Sequence, residues 1–149
     1  MIETARKFGI DFCLNAASAT PIINSVYRHL AHLLVNESEA AIMSGGDREE
    51  VNENTWDTIA QEFLNRGVKN VVITLGAKVV FYATKEEQGL CPAFDVKVVD
   101  TTGAGDTFTG EYTSDFLRQK AQGKWNIKSA VIRSNKAGCN NYPKNESSR

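Results

Sequence analysis

Six residues, Asn70-Val71-Val72-Ile73-Thr74-Leu75, constrain this chain more than any other stretch. A β-branched run with no polar alternation has no face to offer water, so it reads as a strand covered on both sides, the habit of a parallel sheet. Ahead of it, Thr55 to Asn65 carries Trp56, Ile59, Ala60, Phe63 and Leu64 at helical spacing, and Gly67 closes the helix. Behind it, Gly76-Ala77-Lys78 turns the chain into Val79-Val80-Phe81-Tyr82, a hairpin partner. A helix feeding a doubly buried strand is the unit of an α/β fold.

The remaining pattern agrees. Phe12-Cys13-Leu14 is a short strand end running into Asn15, and Ile22 to Leu30 reads as helix. Leu33-Leu34-Val35 is a buried strand, followed by a helix from Glu37 to Met43 that stops at Gly45-Gly46. Val96 to Val99 reads as strand, and Asp106 to Gln119 and Ile127 to Asn135 as helices. Lys85-Glu86-Glu87-Gln88 reads as a solvated loop, and His29 and His32 as surface or interface histidines without a third metal ligand nearby. Alternation of this kind predicts a mostly parallel sheet, with ligands beyond the C-terminal strand ends. Three polar stretches fall at such ends, after Val35, after Ile73 and after Val99.

The 149 residues carry a formal charge of −1 and 42% hydrophobic residues, which fits one domain over residues 1–149. A charge near zero gives no electrostatic reason to expect nucleic acid or an anionic membrane as partner. No apolar run reaches membrane-spanning length, and Met1 to Lys7 lacks the apolar core of a secretory signal. Cys13, Cys91 and Cys139 are widely spaced and form no metal pattern, as expected of thiols in a reducing compartment.

The chemistry concentrates in Asp100-Thr101-Thr102-Gly103-Ala104-Gly105-Asp106-Thr107-Phe108. Glycines ahead of a helix let several N–H groups converge, and the helix start adds free donors and partial positive charge. Such a cup suits phosphate. Gly-Ala-Gly-Asp alone is equally a loop with an Asp cap. An acid inside a phosphate cup makes chemical sense if Asp106 removes a proton from a hydroxyl that attacks phosphorus. The Walker pattern is absent, and G-x-G-x-x-G fails because its third position is Phe108. Asn36 and Glu39, three apart after a strand, could organise the water shell of Mg²⁺ or form a capping box.

The longer string Asp-Thr-Thr-Gly-Ala-Gly-Asp-Thr-Phe-x-Gly resembles the C-terminal signature of the ribokinase-like (PfkB) sugar kinases. That resemblance implies a three-layer, Rossmann-like α/β fold. It implies that Gly103, Ala104, Gly105 and Asp106 form an anion hole with Asp106 as catalytic base. Asn36-Glu37-Ser38-Glu39 resembles the family's Asn-x-x-Glu element, associated with Mg²⁺ and phosphate, with Glu39 nearest the metal. Asp100 falls where the family carries a K⁺ site. Thr74 and Gly76 resemble the turn at the edge of the nucleotide site, although Val79 stands where the family usually has a second glycine. Asn126 corresponds loosely to an adenine-side polar residue, or is a helix cap. Asn15-Ala16-Ala17-Ser18-Ala19 resembles an Asn-Pro-Ala-Pro-Ala element with both prolines replaced.

The resemblance implies ATP-dependent transfer of a phosphoryl group to a sugar hydroxyl, ribose first, fructose or a nucleoside next, with ATP, Mg²⁺ and K⁺ as cofactors. It implies a sugar and ATP as partners, homodimers among full-length relatives, and a cytoplasmic location, with the nucleus second. It covers only the C-terminal half of such a kinase. The N-terminal half, with the lid and most sugar contacts, has no counterpart here, so the chain reads as a fragment with an unpaired sheet edge. A nucleotide-binding module without turnover is the competing expectation.

Overall fold

The structure is a computed structural model that describes residues 2–16, 22–45, 55–75, 79–92 and 104–140, with the backbone alone described for 2, 104–106 and 137–140. It divides into two compact units, residues 1–90 and 91–149.

The first unit carries the sheet. Helix α1 (Ile2–Lys7) leads into strand β1 (Phe12–Asn15), and a single turn, α2 (Asn24–Tyr27), leads into β2 (Leu30–Asn36). Helices α3 (Glu37–Ser44) and α4 (Trp56–Asn65) precede β3 (Asn70–Leu75), followed by β4 (Val79–Ala83) and β5 (Gln88–Pro92). The strands lie side by side in chain order, β1-β2-β3-β4-β5. β1, β2 and β3 run parallel, and β4 returns antiparallel to β3. The expected strand over Val96 to Val99 lies outside the described residues.

Alternation across the pleat explains the core. Leu33 and Val35, Val71 and Ile73, and Phe81 and Ala83 share one core with Tyr27, Ile59, Phe63 and Leu64. Leu34, Val72, Val80 and Tyr82, the intervening positions, are buried as well. Both faces of the central strands are therefore covered, as the apolar run at 70–75 demands.

Several boundaries differ from expectation. The helix expected over Ile22 to Leu30 is one turn, because Leu30 already pairs with Phe12 as the first residue of β2. His32 thus sits in a central strand and is buried, not on the surface. Gln88 opens β5 instead of closing a loop, while Lys85, Glu86 and Glu87 are exposed as expected. The helix expected over Asp106 to Gln119 starts two residues earlier, at Ala104, and ends two later, at Ala121.

Polar contacts fasten the helices to this frame. The Tyr27 hydroxyl donates to the Met43 carbonyl at 3.3 Å, and the Tyr27 ring lies 5.8 Å from that of Phe63. Arg66 covers both rings and donates to the Met43 and Ser44 carbonyls at 3.1 and 3.3 Å, capping α3 from outside. Burial raises the Tyr27 phenol above its ordinary value, and the Arg66 charge partly offsets this. Gly67 takes φ +110, and a Cβ there would meet the Arg28 Cα at 2.6 Å. Glycine is therefore required at this turn on both counts.

Candidate functional site

Asn36 ends β2 and caps α3 with extended backbone, φ −91 and ψ 177. Its Oδ1 accepts from the Glu39 N–H at 2.8 Å, and Glu39 Oε2 accepts from the Asn36 N–H at 2.8 Å. This is a reciprocal capping box. It forms because buried Ala40 and Ala41 press α3 against the core at the point where the strand runs out of apolar residues. Thr74 is the register partner of Asn36, and its Oγ1 donates to the Val35 carbonyl at 3.5 Å. Asn36, Glu39 and Thr74 therefore meet at the C-terminal end of two parallel strands, where α/β sheets place ligands. Gly76, the other expected residue of this edge, lies outside the described residues.

The donor chemistry fits a water-rich Mg²⁺. The cap uses Glu39 Oε2, and Oε1 takes no part in it. Among the described residues no group of three or more His, Cys, Asp and Glu side chains could hold a metal. An ion held by its own waters, substrate phosphates and one carboxylate is the arrangement that suits Mg²⁺. Asp100, the expected K⁺ residue, lies outside the described residues.

The second unit is built on α5 (Ala104–Ala121) and α6 (Ile127–Asn140). Ala104, Gly105 and Asp106 form the first turn of an 18-residue helix. The first four N–H groups of any α-helix lack intrahelical acceptors. At this end those of Ala104, Gly105 and Asp106 are among them, and the helix dipole adds partial positive charge. An anion is the natural ligand of such an end. Gly103 lies outside the described residues, and only the backbone is described at 104–106.

What holds α5 is a polar and aromatic lock. Asp115 is fully buried. Its Oδ1 accepts from Arg133 at 2.7 Å and from Arg118 at 3.1 Å, and its Oδ2 accepts from Gln119 Nε2 at 2.8 Å. Trp125 meets Phe116 and Tyr112 edge-on, at 4.9 and 5.8 Å between ring centroids, a favoured aromatic geometry. Asp115 did not stand out in the sequence. Arg118 and Gln119, three and four residues on, are legible helix neighbours, but Arg133 comes from a separate helix.

Asn126 is the cap of α6. Its Oδ1 accepts from the Ser129 N–H at 2.9 Å, and its own N–H donates to Gln119 Oε1 at 2.7 Å. It follows the C-terminal end of α5, whereas Asp106 is at the N-terminal end. Asn126 bonds to Gln119, which at 1.5 Å per residue is roughly 20 Å along the helix from Asp106. The structure does not bring Asn126 to the N-terminal end of α5.

Comparison with known proteins follows the same lines. The sequence profile of the pfkB family carbohydrate kinases matches residues 1–141. The ribokinase of Staphylococcus aureus is 36% identical over 135 residues, which cover 91% of this chain and 42% of that protein. The crystal structure of a Thermotoga maritima ribokinase superposes with TM-score 0.75 at 34% identity, over 93% of this chain and 44% of that one. An Arabidopsis thaliana ribokinase, complexed with ribose and ATP, gives TM-score 0.76 at 26% identity, over 93% of this chain and 43% of that one. The chain thus spans less than half the length of these relatives.

Proposed function

Because the chain belongs to the pfkB family of carbohydrate kinases, we propose that it serves ATP-dependent phosphoryl transfer to a sugar hydroxyl, with ribose as the acceptor. One observation carries this reading: the Gly-Ala-Gly-Asp string runs straight into the first turn of α5. Free N–H groups and an acid are therefore held on one long, locked helix. The ribokinases among the relatives favour ribose over fructose or a nucleoside.

In this mechanism Asp106 takes the proton of the attacking sugar hydroxyl. The hydroxyl oxygen bonds to the γ-phosphorus of ATP as the bond to the β-phosphate oxygen breaks and ADP leaves. The N–H groups from Gly103 to Asp106 hold the charge on the transferred phosphoryl group, a preorganised effect worth several kcal/mol in known sites. Mg²⁺, when bound, neutralises phosphate charge. Glu39 would hold part of its water shell, and Asn36 fixes Glu39 through the cap. Asp100 would hold K⁺, whose charge would offset that of the phosphates. Thr74 and Gly76 edge the nucleotide, and Asn126 keeps the α5–α6 turn closed.

Two assays on the purified chain separate kinase from nucleotide-binding module: ATP titration with Mg²⁺, and ribose-dependent ADP release across a sugar panel. Binding without turnover, persisting after the rest of a ribokinase is supplied, would favour the binding module. Ribose-dependent ADP release at that point supports the kinase.

A further inference from the structure

Helix α6 is bonded both to the end of β5 and to α5, the helix whose start carries the proposed anion site. On the β5 side, Asn135 Nδ2 donates to the Pro92 carbonyl at 3.3 Å and lies 3.6 Å from the Cys91 Sγ. On the α5 side, Arg133 donates to Asp115 at 2.7 Å. The two side chains stand only two residues apart on α6. The end of β5 and the start of α5 therefore share one support.

The order of the contacts gives the direction of that support. Gln119 meets Ser129 at 3.3 Å, and Asp115 meets Arg133. As the number falls on α5 it rises on α6, so α6 returns along α5 toward its first turn. Helix α5 is continuous from Ala104 to Ala121. Holding it at Asp115 thus holds its start, roughly 16 Å away at 1.5 Å per residue. Both ties are directional. Asp115 is fully buried, and a buried carboxylate requires its donors in place. The Pro92 carbonyl, at the end of a strand, needs a donor, and Asn135 supplies one.

We propose that Asn135 and Arg133 are positioning residues, which together fix the start of α5 against the end of β5. The proposal rests on reading the α5 start as the anion site. Donors held in place before the reaction stabilise developing charge better than donors gathered during it. A misplacement of about 1 Å, caused far from the chemistry, can cost about 100-fold in rate. Neither residue touches the phosphoryl group in this proposal; each acts through the backbone it holds.

Cys91 reports on the tie, because it is buried and in contact with Asn135. The first measurement is alkylation of Cys91 in the full chain, followed by peptide mass. Asn135→Asp keeps the size of the side chain and replaces the donor by an acceptor. It should speed Cys91 labelling at least tenfold through local opening. Arg133→Met should speed it less, and Arg133→Lys should restore the wild-type rate. Amide exchange over residues 108–118, the middle of α5, should stay unchanged in all three. The second measurement uses the chain assembled with the ribokinase segment that it does not match. There Asn135→Asp should lower kcat at least tenfold and leave the KM for ATP nearly unchanged.

Three results would overturn the proposal. Labelling of Cys91 at the wild-type rate in Asn135→Asp would show that the tie holds nothing. Faster exchange throughout α5 would reduce both residues to general supports of the fold. A raised KM with kcat kept would place Asn135 on the nucleotide instead. If Arg133→Met does not fold, Asn135→Asp decides alone. A wild-type assembly that binds no ATP and gives no turnover would count against the kinase reading itself, and the Cys91 rates distinguish that failure from a failure of the tie.

Discussion

The first unit is held by apolar burial, whereas the second adds a buried charge to its apolar and aromatic contacts. In the first, Leu33, Val71, Ile73 and Phe63 are all at 0% exposure, and polar contacts gather at helix and strand ends. In the second, Asp115 lies at the centre of a lock with Arg118, Arg133 and Gln119. The difference is instructive. An apolar core tolerates imprecise neighbours provided volume is kept, whereas a buried carboxylate requires particular donors in particular places. The unit that is proposed to carry the catalytic acid is the one whose helices are fixed by directional bonds.

The largest stability effect should fall on the apolar unit. Phe63→Ala removes a fully buried ring and should cost about 3–5 kcal/mol, read by urea unfolding. Asp115→Ala should cost less, about 1.5–3 kcal/mol, the scale of hydrogen bonds to a charged group, because Arg118 and Arg133 are more than half exposed and can return to water. The comparison sharpens with Asp115→Leu combined with Arg133→Met. Replacing a buried carboxylate and its partner charge by apolar groups is often neutral, and Asp115 is the buried member, so the double variant should recover most of the loss. If Asp115→Ala costs as much as Phe63→Ala and the double variant recovers nothing, the two units are not held differently.

The smallest effects belong to the strand-end cap. Asn36→Ala should cost about 1 kcal/mol through the lost cap. Glu39→Gln keeps an acceptor for the Asn36 N–H and loses only a charge at a helix start, about 0.3–1 kcal/mol. In an active assembly, however, Glu39→Gln should raise the Mg²⁺ concentration needed for half-maximal turnover. An unchanged Mg²⁺ titration would leave Glu39 as a cap alone.

Thiol chemistry offers a further contrast. Burial pushes the Cys13 thiol up to about 11, so it stays protonated at neutral pH and should react slowly with alkylating reagents. Raising the pH toward that value should speed the reaction as thiolate forms.

Sequence periodicity revealed the central strands because their burial on both faces writes an unbroken apolar run, and β3 has the bounds expected of it. It also marked the amphipathic α4 and the αL stop of α3 at Gly45, φ 92. It overran at Ile22 to Leu30, where apolar residues of a short turn and a strand merge into helical spacing. Strand β5 was hidden by its glycine and proline, which are edge features. The Asn36–Glu39 spacing was legible as a capping box, and the box forms. The Asp115–Arg133 bond was not legible, since its partners lie 18 residues apart on different helices.

The most direct measurement is ribose-dependent ADP formation with saturating ATP, Mg²⁺ and K⁺. It should be made on the chain assembled with the unmatched ribokinase segment, wild type beside Asp106→Asn. General-base loss typically costs about 10²–10⁴-fold in rate. The account predicts a fall of that size in kcat, with ATP affinity nearly unchanged, because the backbone donors at the start of α5 remain. Equal turnover in wild type and Asp106→Asn would contradict it and remove Asp106 from the chemistry.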